Sequence, residues 1–155
     1  MRYFIGNWKM FGVPKSINIL NKINSFYSKD KNKNKYRVII TPPYTLIESY
    51  AKYFKKKKII IGSQNCYQKE QFSSNTAAVS PYMLRSVGAR YTLIGHSDNR
   101  GEGDNNEMLK DKVKYALKNN LKVVFCIGEN KLEKKKQKNI ECFTKTANKS
   151  FGKKI

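Results

Sequence analysis

Five short apolar runs punctuate the chain, at residues 3–5, 38–40, 59–61, 91–94 and 123–127. Their residues are mostly β-branched or aromatic, and apolar positions follow one another without polar alternation. Such runs suit strands covered on both faces, as in a parallel sheet. The segments between them carry a helical period instead. Ile17, Leu20, Ile23 and Tyr27 share one face, as do Leu46, Tyr50 and Phe54, and later Leu109, Val113, Ala116 and Leu117. Local punctuation agrees with this division. Pro42-Pro43 closes the second strand, Ser80-Pro81 reads as an N-cap followed by proline at the first helical position, and Gly88 sits where that helix should stop. Asn105 or Asn106 can cap the helix that carries Leu109. Strand and helix alternate throughout, which predicts an α/β fold of parallel strands joined by right-handed crossovers.

This rhythm occupies residues 1–129 and accounts for about five strand–helix units. Residues 130–155 are less regular. Ile140, Phe143, Ala147 and Phe151 fall at helical spacing, but Thr144, Thr146 and Gly152 weaken a helix there, so the segment reads as a fifth helix or a disordered tail.

Composition narrows the field of functions. With 155 residues and 39% hydrophobic content, the chain suffices for one ordinary domain. No apolar run approaches bilayer length, and MRYFIGNWKM lacks the apolar stretch and cleavage site of a signal peptide, so a soluble, cytoplasmic protein without a membrane partner is expected. Cys66, Cys126 and Cys142 are odd in number and form no CxxC, which argues against a disulfide framework. With His96 as the sole histidine they also make a poor zinc set, so no metal is expected. The charge is extreme, 32 Lys+Arg against 11 Asp+Glu, a formal +21. A basic polyanion-binding module is one reading of that excess. The other is lysine spread over solvated faces, since the lysine runs lie between periodic segments and arginine, the usual base reader, is scarce. No specific nucleic-acid partner is expected, although weak adhesion to polyanions is.

In parallel α/β folds the chemistry gathers at the carboxyl ends of the strands. The first strand runs into GNWKM, placing Asn7 and Lys9 just beyond it. The third runs into GSQNCY, with Gln64 and Asn65. The fourth runs into GHSDNR, with His96, Ser97 and Asp98, and the fifth into CIGEN, with Cys126 and Glu129. One face of the sheet would therefore collect a cation, an imidazole, amide donors and two carboxylates. Each has a plainer reading: His96 as a hydrogen-bonded structural residue, Asn7 as a turn former, Cys126 as packing on the fifth strand, Glu129 as a cap. Their coincidence at one end of several strands favours a site.

GNWKM, GSQNCY, SPYML, GARYTLIGHSDNR and VVFCIGE, in this order and spacing, resemble triosephosphate isomerases over residues 2–129. The resemblance implies a parallel (β/α) TIM-type barrel, incomplete here, and a glycolytic isomerase that interconverts dihydroxyacetone phosphate and glyceraldehyde 3-phosphate without cofactor, as a homodimer. It implies that Lys9 binds the anionic substrate and stabilises enediolate charge, with Asn7 ordering the region. It also implies that His96 polarises the carbonyl and moves protons between its oxygens. The family is itself a standard illustration of a histidine held neutral at a helix N-terminus, and Ser97-Asp98 opens that turn here. Cys126 and Glu129 would be supporting residues. Thr76 resembles the threonine at the tip of the dimer-forming third loop.

The sequence departs from the family in three places. Asp98 stands where glutamate is usual. QFSSNTAAVS puts Ala77 and Ala78 in place of a glycine and a glutamate. No counterpart is found of the catalytic glutamate after a sixth strand, of the lid, or of the glycine-rich phosphate loops, and a complete barrel takes about 250 residues. The expectation is an electrophilic half-site without its base, on a sheet whose first and fifth strands are open edges. Other phosphosugar barrels fit less well, because they share the phosphate loops rather than GNWKM and IGHS.

Overall fold

A computed structural model describes residues 1–128. Glu129 and the 130–155 segment lie outside the described residues. Five strands, β1 (Arg2–Asn7), β2 (Tyr36–Thr41), β3 (Ile60–Ser63), β4 (Tyr91–Ile94) and β5 (Lys122–Phe125), form one sheet in sequence order. Every adjacent pair is parallel, with Gly6 opposite Ile40, Ile39 opposite Ile60, Gly62 opposite Tyr91 and Thr92 opposite Val123. The sheet curls into a half-barrel, the incomplete parallel (β/α) barrel that the family resemblance implies.

Helices α1 (Ile17–Lys29), α2 (Tyr44–Phe54), α3 (Pro81–Ser86) and α5 (Asn106–Lys118) make the crossovers, and a short α4 (Ser97–Gly101) follows β4. Leu20 and Tyr27, then Leu46, Tyr50 and Phe54, pack with Val38, Ile40, Ile61 and Ile94 in one core. Each such side chain, nearly fully buried, contributes about 1.5–3 kcal/mol of transfer free energy. Ile39 and Leu93 are equally buried but lie outside that cluster. Strand alternation puts them on the opposite, concave face.

The predicted caps form. Ser80 Oγ accepts from the Met83 amide at 3.3 Å, and Asn105 Oδ1 accepts from the Met108 amide at 3.0 Å. Gly88 ends α3 with φ +99°, and a Cβ there would lie 2.7 Å from that of Ala51.

Four expectations need correction. The fifth apolar run is a strand only through Phe125, and Ile127 is exposed. Cys126 therefore lies just past β5 and is half-buried rather than packed on the strand, although its amide still reaches Ile94 O at 2.8 Å. The apolar residues of β1 are not covered on both faces. Tyr3 and Phe4 are more than half exposed, because no strand among the described residues flanks β1 on its outer side. On α5 the inner stripe is Leu109, Lys112, Val113 and Ala116, while Leu117 is 54% exposed. Leu117 lies eight positions beyond Leu109, about 80° round the helix, which carries it off the stripe. Among the described residues no helix is long and apolar enough to cross a membrane.

Candidate active site

The carboxyl ends of β1, β3 and β4 meet at one open cavity of about 610 Å³, lined among others by Asn7, Lys9, Gln64, Asn65, His96 and Asp98. That size is ordinary for a small-molecule site. A smaller cavity of about 340 Å³, lined by Lys52, Lys57 and Arg90, contains none of these residues.

Lys9 reaches the cavity from a constrained loop. Its φ is +51°, in the left-handed region that L-residues avoid. Three hydrogen bonds keep the segment there. Asn7 Oδ1 accepts from the Lys9 amide at 2.9 Å, so Asn7 does form a local turn. The Trp8 amide donates to Thr41 O at 3.1 Å. Gln64 Nε2 donates to Lys9 O at 2.8 Å. Behind the loop, the Trp8 ring packs edge-on against Tyr50, with centroids 6.0 Å apart.

His96 arrives from β4 through Gly95, whose φ of +77° and close neighbour Arg100 leave little room for a side chain. It is the N-cap of α4, and its Nδ1 accepts the Asp98 amide at 3.2 Å. An acceptor nitrogen must carry a lone pair, so the neutral ring with this bond holds its proton on Nε2. The Asp98 carboxylate lies 3.6 Å from Nδ1, a contact that becomes an ion pair only if the ring is protonated. Asp98 Oδ2 also sits 3.2 Å from Lys9 Nζ. Both partners of that pair are about half exposed, at 55% and 54%, so it adds at most about 1 kcal/mol to stability. Its effect is positional, holding the ammonium beside the imidazole.

Arg100 stitches the turn to the next strand. Its Nε donates to Gly95 O at 2.8 Å and its Nη2 to Cys126 O at 3.4 Å. Burial pushes the Cys126 thiol up, with Arg100 opposing.

The structure thus brings Asn7, Lys9, His96 and Asp98 together. Ser97 opens α4 but is exposed, Cys126 contributes its carbonyl to Arg100, and exposed Thr76 is not among the lining residues. Three features are not legible in the sequence. The first is the grip of Gln64, an amide donor at this face, on the Lys9 carbonyl. Arg100 carried no signal beyond its proximity to His96. The third is the buried pair of Lys112 and Asp104, at 2.7 Å, with Asn65 Oδ1 accepting from the same ammonium at 3.2 Å. Lys112 stood three residues after Leu109 within an apolar stripe, which was the available clue, but one lysine among so many conceals it.

A family model described as triosephosphate isomerase matches residues 2–154, further than the resemblance over 2–129. A triosephosphate isomerase of Bacteroides fragilis is 39% identical over 126 residues, 80% of this chain and 49% of the relative. One from Yarrowia lipolytica is 34% identical over 142 residues, 90% of this chain and 56% of the relative. The crystal structure of triosephosphate isomerase from Bartonella henselae superposes with a TM-score of 0.88 at 27% identity, covering 99% of this chain and 63% of that one. The chain spans about half the length of the curated relatives it matches. A parallel half-barrel with these relatives, and a family match over nearly its whole length, places the chain in the triosephosphate isomerase family.

Proposed function

We propose that this chain provides the electrophilic half of a triosephosphate isomerase site. The observation that carries the reading is that Lys9 Nζ and His96 Nδ1 converge on one carboxylate oxygen of Asp98, at 3.2 and 3.6 Å. In this reading the substrate carbonyl lies between the Lys9 ammonium and the His96 Nε2–H. Both donors meet negative charge that grows as the enediolate forms, so they stabilise the transition state more than the ground state. His96 then passes its Nε2 proton to one oxygen and recovers a proton from the other.

Enolisation also needs a base within hydrogen-bond reach of the substrate C–H. Of the carboxylates that line the cavity among the described residues, Asp98 is engaged by Lys9, and Glu102 caps the far end of α4. The 155-residue chain by itself is therefore expected to bind a triose phosphate analogue without turning substrate over. A coupled assay with glyceraldehyde 3-phosphate should show no enzyme-like rate. A phosphoglycolate-type analogue should raise the melting temperature of the chain but not of Lys9→Ala. Turnover by the pure chain would refute the missing base, and equal protection of both proteins would refute the role of Lys9. Protection by nucleic acid and not by the analogue would favour the polyanion-binding alternative that the net charge of +21 suggests.

A homodimer belongs to the same reading. Thr76 is exposed in the β3–α3 connection, which also carries exposed Phe72, edge-on to Tyr82 of α3 with centroids 5.5 Å apart. Sedimentation should give a dimer that Thr76→Arg weakens. A concentration-independent monomer would argue against it.

A further inference from the structure

We propose that Gln64 is a positioning residue for Lys9, an inference that rests on Lys9 being the cation of the site. Gln64 follows β3, yet its side chain crosses the ends of two strands. Nε2 donates to Lys9 O at 2.8 Å and to Thr41 O at 2.9 Å. Both amide protons are thereby committed, one to the loop after β1 and one to the end of β2. The orientation of the amide is fixed by chemistry. Flipped, it would set an oxygen against two carbonyl oxygens.

The bond to Lys9 matters because of the backbone it holds. A lysine at φ +51° persists only where its surroundings over-determine it. The Asn7 side chain fixes the amide on one side of Lys9, and Gln64 fixes the carbonyl on the other. With both ends held, the side chain leaves the loop toward Asp98 and His96. Release of the carbonyl lets φ relax, which swings the Cα–Cβ bond and carries the ammonium off its 3.2 Å contact.

Gln64 is held in turn. Its neighbour Asn65 uses Oδ1 to accept from its successor's amide, Cys66 N, at 2.9 Å, and from buried Lys112 Nζ at 3.2 Å. Lys112 is fastened to Asp104 by two bonds of 2.7 Å. The β3 loop is thus tied to α5 on one side and to Lys9 on the other.

Isotope-labelled dimethyl-lysine spectroscopy on the full chain tests the assignment without any need for turnover. The Lys9 resonance is the one missing from Lys9→Arg. It should move in Asp98→Asn, which checks the ion pair, and should move likewise in Gln64→Met and Gln64→Glu while the Lys112 resonance stays in place. An unmoved Lys9 resonance in both Gln64 variants overturns the proposal. An unmoved resonance in Asp98→Asn instead overturns the reading of the site. Should the variants fail to fold, the unmutated chain still decides. Both Nε2 protons of Gln64 should exchange at least tenfold more slowly than those of exposed Gln71, and equal exchange overturns the proposal.

Discussion

Replacing Lys9 by alanine and, separately, by glycine measures what its backbone conformation costs. Both substitutions delete the ammonium and its 3.2 Å contact with Asp98, so that loss cancels in the comparison. What remains is a Cβ at φ +51°. The left-handed conformation costs an L-residue about 1–2 kcal/mol, and glycine close to nothing. Glycine is disfavoured in turn by about 0.4–1 kcal/mol, because it frees the unfolded chain. The balance favours Lys9→Gly over Lys9→Ala by about 1 kcal/mol. The loop has little freedom to escape the strain, since Asn7 and Gln64 hold both sides of the residue. Urea unfolding followed by circular dichroism is a suitable assay. With a slope of about 2 kcal/mol/M, the glycine variant should unfold about 0.5 M later. Equal midpoints, or an alanine variant that outlasts glycine, would refute the claim of strain. The expected result also explains why a lysine stands there. The stabler glycine has no charge to offer a substrate, and strained residues persist at sites whose chemistry needs them.

Three further outcomes follow from the same structure. Lys112→Met leaves Asp104 buried without its cation and should cost about 3–5 kcal/mol in urea titrations, whereas the double variant Lys112→Met/Asp104→Leu should recover most of that. A double variant as unstable as the single one would show that the pair itself is needed. Burial pushes the Cys66 thiol up to about 12 from an ordinary 9.0, so iodoacetamide at pH 8 should label it on the order of a thousandfold more slowly in the folded chain than in urea. Because the folded value lies above the unfolded one, the neutral thiol's contribution is complete below pH 9. It is lost as pH rises toward 12, and stability should decline across that window. Ser80→Ala removes the acceptor for the Met83 amide and should lower stability by about 1 kcal/mol, while Ser80→Asp should lower it by much less.

What the order of residues determined by itself is local or periodic. The dense β-branched runs became β2 to β4, because such side chains suit a pleated surface covered on both faces. Ser80-Pro81 and Gly88 bounded α3, because capping and positive φ are properties of single residues and their neighbours. The placement of Asn7, Lys9, His96 and Asp98 around one cavity was legible too, since parallel strands bring all their carboxyl ends to one side. Tertiary structure alone decided matters that depend on partners distant in sequence. That β1 would be open was legible from the number of units, but which of its side chains lose their cover was not: among the described residues nothing covers the outer side of Tyr3 and Phe4, which are more than half exposed. The burial of Lys112 depends on Asp104 and Asn65 arriving from two other segments. Gln64 meets the Lys9 carbonyl across 55 positions of chain, and only the stacking of three strand ends brings that amide and that carbonyl within reach.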